Sequence, residues 1–293
     1  MTEPVLRVDQ PGLGLSLQGP PRTGWRKFGV PAGGAMDREA ARWANRLLQN
    51  PDDAPVLELL LQGARLTAVC DLWIAVTGAD AGCADRAVWR AARLARGESL
   101  EFPRNRAGVW SYLAVEGGFA APLWLGSASS HPRAGIGLLA EGAMLVRQRV
   151  QDRAEVAASI SGRSVPGRER RNYLQPPPLR VWPAPQTGLF LRASREAFFT
   201  QTWTVSAQSD RVGYRLEGPA LSTSLPELLS EPVRTGSIQI PPGGTPIVTM
   251  QDGPTVGGYP KLGLVDPADL PWLAQCRPGQ LIRFKPATDD SGF

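Results

Sequence analysis

Residues Gly236 to Gly263 read GSIQIPPGGTPIVTMQDGPTVGGYPKLG, and this stretch indicates the fold of the second half of the chain. Ile238 and Ile240 alternate with Gln239 before a Pro-Pro-Gly-Gly segment, and residues 246–250 form a second short, mostly apolar run. Alternation is typical of half-buried strands, and paired prolines and glycines favour a tight turn. The pattern therefore predicts a β-hairpin.

The segment that follows this hairpin carries chemically useful side chains. Its candidate site residues are Asp252, Thr255, Gly257, Gly258, Tyr259 and Lys261. Glycines let backbone N–H groups approach an anion, and the other side chains supply an acid, a hydroxyl, a phenol and a cation. Two interpretations stay open: a site for a carboxylate or a phosphate, or a tight connection between barrel strands.

Composition favours a globular, mainly β protein. The chain has 293 residues, of which 42% are hydrophobic, and this is enough to bury a core. The 32 Gly and 28 Pro interrupt the sequence so often that long helices have little room. We therefore expect short strands joined by many turns.

The cysteines and the histidine predict no metal site. Cys70, Cys83 and Cys276 form no CxxC pair, and His131 is the single histidine. An odd number of widely spaced cysteines favours reduced thiols, and we find neither a leader-like apolar segment nor an apolar run of membrane-spanning length. These features predict a cytoplasmic protein that is not embedded in a membrane.

The charge pattern argues against a nucleic-acid partner. The formal net charge is +5, but the arginines are spread along the chain and are not interleaved with aromatic residues in one block. Of the 32 Lys and Arg residues only three are Lys: Lys27, Lys261 and Lys285. Lys261 is therefore a distinctive cation for this sequence.

Two carboxylates in the first half are also candidate site residues. Asp37 precedes a segment with apolar residues at helical spacing, so it either caps that helix or belongs to a site. Glu58 interrupts the apolar run of residues 56–61, where a carboxylate needs a partner or a role. It either pairs with an arginine in the core or points into the site.

Residues 123–142 contain a superficial match to a dinucleotide-binding fingerprint. We reject this match at residues 135–140, because Pro132 and Arg133 stand where a strand is required and Gly142 interrupts the helix that should follow. Ser127, Ser129 and Arg133 remain candidate anion ligands, with a plain surface loop as the alternative.

The polar, basic and proline-rich residues 161–178 predict a linker or a solvated excursion of the chain. We expect an N-terminal β-rich subdomain over residues 1–160 and a C-terminal β-barrel subdomain over residues 179–293.

Four ordered blocks carry a resemblance to a known family. One block is QIPPGGTPIV followed by Asp252, Thr255 and the sequence GGYPK, and the other three are the segments 29–63, 112–137 and 206–218. Together they resemble the carboxyltransferase family that includes the C-type subunit of 5-oxoprolinase and the allophanate-hydrolase-subunit-2-like region of urea amidolyase. The resemblance covers nearly the whole chain and implies a mainly β fold with a few short helices, built as two cyclophilin-like β-barrel subdomains.

The resemblance implies a hydrolase: the C-type subunit of an ATP-dependent 5-oxoprolinase that opens 5-oxoproline to glutamate. We expect direct contact with the B-type subunit of such a 5-oxoprolinase and assembly with its A-type subunit, with ATP and Mg²⁺ used by the complex and no cofactor bound in this chain. No Walker A, GxSxG or HExxH sequence occurs. Two alternatives remain: a carboxyltransferase that moves CO₂ from carboxybiotin on another polypeptide to urea or a related amide, and a non-enzymatic regulator that binds a kinase-inhibitor-like partner.

The resemblance and the local chemistry together give the candidate roles. The predicted catalytic residues are Asp252, Lys261, Asp210 and Arg211. The predicted substrate-binding residues are Arg133, Tyr214, Gln239, Thr255, Gly257, Gly258, Tyr259, Glu58 and Asp37. No residue is predicted to bind a metal within this chain, although Asp252 or Asp210 is a candidate to act as base or to help the complex hold Mg²⁺.

Overall fold

The computed structural model describes residues 1–82, 88–150, 152–222 and 228–287, so Cys83 lies outside the described residues. The chain divides into two compact units. The first unit comprises Met1–Arg22 and Gly33–Tyr173, and the second comprises Thr23–Ala32 and Leu174–Phe293. Within residues 161–178, where we predicted a linker, Val165 and Tyr173 are buried.

In its described part the first unit contains ten strands and two α-helices. The strands are β1 Thr2–Pro11, β2 Leu15–Gln18, β3 Val56–Leu60, β4 Ala64–Ala68, β5 Leu72–Asp80, β6 Ala91–Leu94, β7 Ser99–Phe102, β8 Ala107–Val115, β9 Phe119–Ala120 and β10 Met144–Gln148. The helices are α1 Arg38–Leu47 and α2 Arg153–Ile160.

The strands of the first unit form two antiparallel sheets. Their orders are β7-β4-β1-β10-β9 and β2-β3-β8-β5-β6. Leu6 and Leu66 from one sheet and Ile74 and Leu113 from the other belong to the same buried apolar cluster. The sheets therefore share one core, because each buries its apolar face against the other.

Helix α1 packs against β5 and β8. Its buried residues include Ala40, Ala44 and Leu47, as the helical spacing predicted. Asp37 is the N-cap, and its Oδ1 accepts a hydrogen bond of 3.0 Å from the backbone N–H of Ala40. The predicted capping role of Asp37 is confirmed, because a carboxylate there satisfies an amide that has no partner within the helix.

In its described part the second unit contains ten strands and two α-helices. The strands are β11 Leu179–Pro183, β12 Trp203–Val205, β13 Gly213–Glu217, β14 Glu231–Pro232, β15 Ser237–Gln239, β16 Ile247–Thr249, β17 Val256–Gly257, β18 Lys261–Val265, β19 Leu281–Ile282 and β20 Phe284–Pro286. The helices are α3 Arg192–Thr200 and α4 Leu270–Ala274.

Eight of these strands form one sheet in the order β19-β12-β13-β16-β15-β18-β11-β20. The two edge strands are separated in sequence by the single residue Arg283. The edges are therefore adjacent, and the sheet curls into a barrel-like form that leaves little open edge. Helix α3 packs Phe198 against Phe284, with ring centroids 4.6 Å apart, and against Trp203.

The predicted hairpin is confirmed as β15 and β16, which pair antiparallel with Ile238 opposite Val248. Gly244 in the connecting turn has a φ of 75°, and a Cβ there would lie 2.8 Å from the backbone nitrogen of Leu221. The turn requires glycine for both reasons. The mainly β fold with four short helices in the described residues matches the expectation from sequence. None of the helices described here combines the length and the apolar character needed to cross a membrane.

Candidate functional site

The register of the second unit's sheet brings two candidate residues side by side. Strand β18 begins at Lys261 and pairs antiparallel with β15, so that Gln239 lies opposite Lys261. Both residues are buried. A buried amide and a buried ammonium on neighbouring strands form a polar position in the sheet, and such groups require partners.

Lys261 obtains its partners from two other segments. Its Nζ forms an ion pair with Glu231 Oε1 and donates a hydrogen bond of 3.2 Å to the carbonyl oxygen of Pro232. Its backbone N–H donates to Gln186 Oε1 at 2.7 Å, and Gln186 Nε2 in turn donates to Glu231 Oε1. We refer to Lys261, Glu231 and Gln186 as the lysine cluster.

The two charges of the lysine cluster differ in their access to solvent. The Lys261 side chain is 10% exposed, whereas the Glu231 side chain is 41% exposed. The hydrogen bond from Lys261 lowers the pKa of Glu231 below its usual value, with a further lowering from Gln186, and these effects outweigh the desolvation that raises it. Glu231 is therefore an ionised, partly exposed counterion of an enclosed cation.

Arg211 and Asp252 form a second charge pair of a different kind. Arg211 Nε donates to Asp252 Oδ2 at 2.7 Å and Nη2 donates to Oδ1 at 2.9 Å. The two side chains are 12% and 6% exposed, and the Asp252 backbone N–H also donates to the Arg211 carbonyl oxygen. This bidentate pair ties the turn before β13 to the segment after β16. The catalytic roles predicted for both residues stay predictions.

Asp210 and Tyr214 flank the same turn and have structural contacts. Asp210 Oδ1 accepts hydrogen bonds from the backbone N–H groups of Val212 and Gly213, which is the pattern of an Asx turn. The buried Tyr214 donates its hydroxyl to the carbonyl oxygen of Ala274 at 2.6 Å. Their predicted roles in catalysis and substrate binding remain predictions.

The segment before Lys261 is less open than its glycines suggest. Val256–Gly257 forms strand β17, which pairs with β14. A Cβ at Gly257 would lie 2.9 Å from Gln239 Nε2, and one at Gly258 would lie 2.9 Å from the Leu228 carbonyl oxygen. These glycines therefore allow close packing. Thr255 is buried and Tyr259 is 46% exposed, and their substrate contacts, like those of the two glycines, stay predictions.

The first unit contains a buried network of carboxylates and tyrosines. Tyr112 donates its hydroxyl to Glu58 Oε2 at 2.9 Å and accepts from the backbone N–H of Asp37 at 2.7 Å. Glu58 Oε2 also accepts from the Met36 N–H at 2.8 Å, and Tyr173 donates its hydroxyl to Asp37 Oδ2 at 2.8 Å. We refer to Asp37, Glu58, Tyr112 and Tyr173 as the tyrosine–carboxylate network.

Burial keeps both phenols of this network protonated. Desolvation raises the pKa of Tyr112 well above 10, and the nearby negative charge of Glu58 raises it further. Desolvation and Asp37 raise the pKa of Tyr173 in the same way. The phenols therefore act as hydrogen-bond donors to the carboxylates, and the predicted binding of substrate by Glu58 and Asp37 stays a prediction.

The loop with Arg133 is built as a connection. Arg133 is exposed within a 3₁₀ turn, Pro132–Ala134. Ser127 and Ser129 donate their hydroxyls to the carbonyl oxygens of Pro20 and Gly19 at 2.6 and 3.0 Å. The next regular element after residues 135–140 is strand β10 and not an α-helix, which confirms our rejection of the dinucleotide fingerprint. Anion binding by Ser127, Ser129 and Arg133 stays a prediction.

Among the predicted site residues of the second unit, the structure pairs Arg211 with Asp252 and places Gln239 opposite Lys261. In the first unit, Tyr112 links Asp37 and Glu58. Sequence reasoning missed Glu231 and Gln186, and it did not assign Tyr112 or Tyr173 to a site. Tyr112 lies in one of the four resemblance blocks, which was an available signal. Nothing local in the sequence marks Glu231 or Gln186.

Comparison with known protein families identifies the class to which this chain belongs. Residues 28–286 match the family described as carboxyltransferase domain, subdomain A and B, and the chain belongs to this family. It is 38% identical over 285 residues to the C-type subunit of 5-oxoprolinase from Escherichia coli strain K12, covering 96% of this chain and 90% of that protein.

Solved structures show the same similarity. The crystal structure of TTHA0988 superimposes with a TM-score of 0.85 at 36% identity, covering 96% of this chain and 56% of that longer chain. The Kluyveromyces lactis urea amidolyase structure gives a TM-score of 0.84 at 28% identity, covering 97% of this chain and 19% of that one.

Proposed function

We propose that this chain is the C-type subunit of an ATP-dependent 5-oxoprolinase, which acts in complex with subunits of the A and B types and contacts the B-type subunit directly. The observation that carries this proposal is the similarity to the C-type subunit of the Escherichia coli 5-oxoprolinase along nearly the full length of both proteins. The substrate is 5-oxoproline, a cyclic amide with a carboxylate, and the product is glutamate.

The chemistry of a lactam explains why ATP is required. Amide resonance makes the carbonyl carbon a poor electrophile, and transfer of a phosphoryl group to its oxygen makes it a better one. A water molecule then attacks that carbon and the ring C–N bond breaks, with a proton passing to the nitrogen, which leaves a free amine and an acyl phosphate. A second water releases phosphate and forms the side-chain carboxylate of glutamate. Each step develops negative charge that cations and backbone donors stabilise. ATP and Mg²⁺ enter this proposal as ligands of the assembled complex.

Lys261 is the cation of this chain that we assign to the substrate carboxylate. It is buried on β18, and its ammonium already holds a carboxylate, that of Glu231. Arg211 and Arg133 are proposed to help hold developing charge, and Asp252 or Asp210 to act as base. Within the described residues, no group of three or more His, Cys, Asp or Glu side chains is arranged to hold a metal ion.

A reconstitution experiment tests the proposal. ADP and glutamate are measured for the purified chain, alone and with matching A-type and B-type subunits, with and without 5-oxoproline. We expect ADP release that requires all three chains and 5-oxoproline, with glutamate formed in proportion. Absence of stimulation would reject the proposed activity.

Two variants locate the site within that assay. Lys261→Ala is expected to lower kcat/KM roughly tenfold or more, because it removes a charge-assisted hydrogen bond to the substrate. The matched control is Lys285→Ala, which removes an exposed lysine of β20. If Lys261→Ala and Asp252→Ala both left turnover unchanged, the candidate site in the second unit would be wrong.

A carboxyltransferase that moves CO₂ from carboxybiotin to an amide is the second candidate function. The close structural similarity to part of a urea amidolyase favours it. Such an enzyme stabilises a similar oxyanion, so the same residues serve either reaction. Co-purification of a biotinylated protein with this chain, together with failure of the 5-oxoproline assay, would favour this function over the first.

A further inference from the structure

We propose that Glu231 is a resident counterion that occupies the carboxylate-binding position of Lys261, and that the carboxylate of an incoming substrate replaces it. Glu231 then sets the affinity for substrate by competing for the same ammonium group. The inference rests on the proposed function in one respect: 5-oxoproline is taken as the physiological carboxylate.

Two donors in the lysine cluster converge on one carboxylate oxygen. Lys261 Nζ and Gln186 Nε2 both contact Glu231 Oε1. Gln186 is itself oriented, because its Oε1 accepts the Lys261 backbone N–H at 2.7 Å. An ammonium and an oriented amide around one oxygen form a preorganised site for a carboxylate from any source, since charge-assisted hydrogen bonds favour an ionised acceptor.

The resident carboxylate is placed so that it can leave. Glu231 is 41% exposed, and it lies on β14, a strand of two residues that pairs with the two-residue strand β17. Rotation of the Glu231 side chain into water restores its full hydration and opens the position beside the enclosed Lys261 ammonium. Lys261, at 10% exposure, then requires another anion.

The charge pair between Arg211 and Asp252 lacks these properties. Both of its side chains are nearly closed to solvent, and two parallel hydrogen bonds join them. Separating them breaks two charge-assisted hydrogen bonds between side chains that are almost closed to solvent, which is more costly than releasing a half-exposed carboxylate. Of these two pairs, the one at Lys261 is suited to exchange.

Lysine ammonium NMR tests the exchange directly, without any need for turnover. The chain has three lysines, so ¹⁵N-labelled protein gives few side-chain signals, and Lys261→Arg identifies the signal of interest. Acetate is titrated into the wild type and into Glu231→Gln, with acetamide as the uncharged ligand. We expect Glu231→Gln to bind acetate about threefold or more tightly than the wild type, because the internal competitor has lost its charge.

The matched control for this experiment is Glu217→Gln, which removes an exposed carboxylate of β13 elsewhere in the second unit. Its acetate affinity is expected to equal that of the wild type. Glu231→Ala provides a second variant without a side-chain amide. Equal acetate affinity in the wild type, Glu231→Gln and Glu231→Ala, all correctly folded, would overturn the proposal.

Kinetics of the assembled enzyme supply the second readout. Glu231→Gln is expected to lower the KM for 5-oxoproline about threefold, and the same change in a Lys261→Met background is expected to leave KM unaltered. An unchanged or raised KM in Glu231→Gln alone would contradict the competition. If acetate binding behaves as expected but the wild-type complex does not turn over 5-oxoproline, the counterion site stands and the proposed function fails. If the wild-type complex turns over 5-oxoproline but substitution of Glu231 does not change acetate binding, the proposed function stands and the counterion proposal fails.

Discussion

The substitution Tyr112→Phe tests whether the buried carboxylates of the first unit stabilise its fold. The hydroxyl that is lost donates to Glu58 at 2.9 Å and accepts from the Asp37 N–H at 2.7 Å. All three residues are fully buried, so water cannot take over either bond. Phe preserves the ring and its packing, which confines the perturbation to one oxygen atom.

The magnitude follows from the two partners that remain. A buried group that loses its hydrogen bond costs about 1–3 kcal/mol, and the larger values apply when the group is charged. Glu58 keeps the bond from the Met36 N–H, which reduces its share. We therefore expect Tyr112→Phe to lower the free energy of unfolding by about 3 kcal/mol.

Urea denaturation followed by circular dichroism measures this loss, with Tyr259→Phe as the matched control. Tyr259 is 46% exposed, and its hydroxyl change is expected to alter stability by less than about 0.5 kcal/mol. A loss below about 1 kcal/mol for Tyr112→Phe at an unchanged m-value would refute the interpretation of the network as a stabilising unit. The KM of the folded variant gives a second result: a raised KM would support the predicted substrate contacts of Asp37 and Glu58.

Three further perturbations address other parts of the chain. Gly258→Ala is expected to lower the free energy of unfolding by about 2 kcal/mol, because the new Cβ would lie 2.9 Å from a backbone carbonyl oxygen. The matched control Gly243→Ala places its Cβ where no atom lies within 4 Å, so it should change the free energy of unfolding by less than about 0.5 kcal/mol. Equal effects of the two in urea denaturation would contradict the packing argument. Arg211→Met is expected to lower the free energy of unfolding by about 3 kcal/mol, because Asp252 stays buried without its arginine. Thermal unfolding of the double variant Arg211→Met/Asp252→Leu should show that most of this loss is recovered. A double variant as unstable as Arg211→Met alone would disprove this explanation. Burial raises the pKa of the Cys276 thiol from 9.0 to about 12. Iodoacetamide at pH 8 should therefore label Cys276 slowly in the folded protein and rapidly in urea, as measured by mass spectrometry of the peptide that contains it. The free energy of unfolding should also decline as the pH rises above about 9, because the thiol ionises more readily in the unfolded chain. Rapid labelling of the native protein would show that the thiol is accessible.

Local patterns in the sequence were sufficient for several elements. The hairpin of β15 and β16 followed from an alternating strand, a turn rich in proline and glycine, and a second apolar run. Helix α1 followed from apolar residues at helical spacing after Asp37, which caps it. Signals of this kind work because hydrogen bonds within a few residues of each other decide these structures.

The glycines before Lys261 show where local patterns stop. The sequence identifies Gly257 and Gly258 but not the atoms that lie opposite them. Glycines that let the backbone approach an anion and glycines that allow close packing therefore look the same in the sequence. The structure places Gln239 Nε2 and the Leu228 carbonyl oxygen beside these two positions. Both neighbours come from other segments, and only the tertiary fold defines their distance from the glycines.

Glu231 and Gln186 could not be identified by any local rule, and the reason bears on the site itself. Gln186 lies 75 residues before Lys261 and 45 before Glu231, and one carboxylate among 27 acidic residues has no distinguishing spacing. The strand register supplies what is missing, because pairing of β14 with β17 brings Glu231 opposite Gly257, four positions before the lysine. Gly257 in turn lacks the Cβ that would crowd Gln239, the residue opposite Lys261 on β15. The short strands β14, β15, β17 and β18 therefore bring a small residue beside the buried amide and an exchangeable carboxylate beside the buried ammonium.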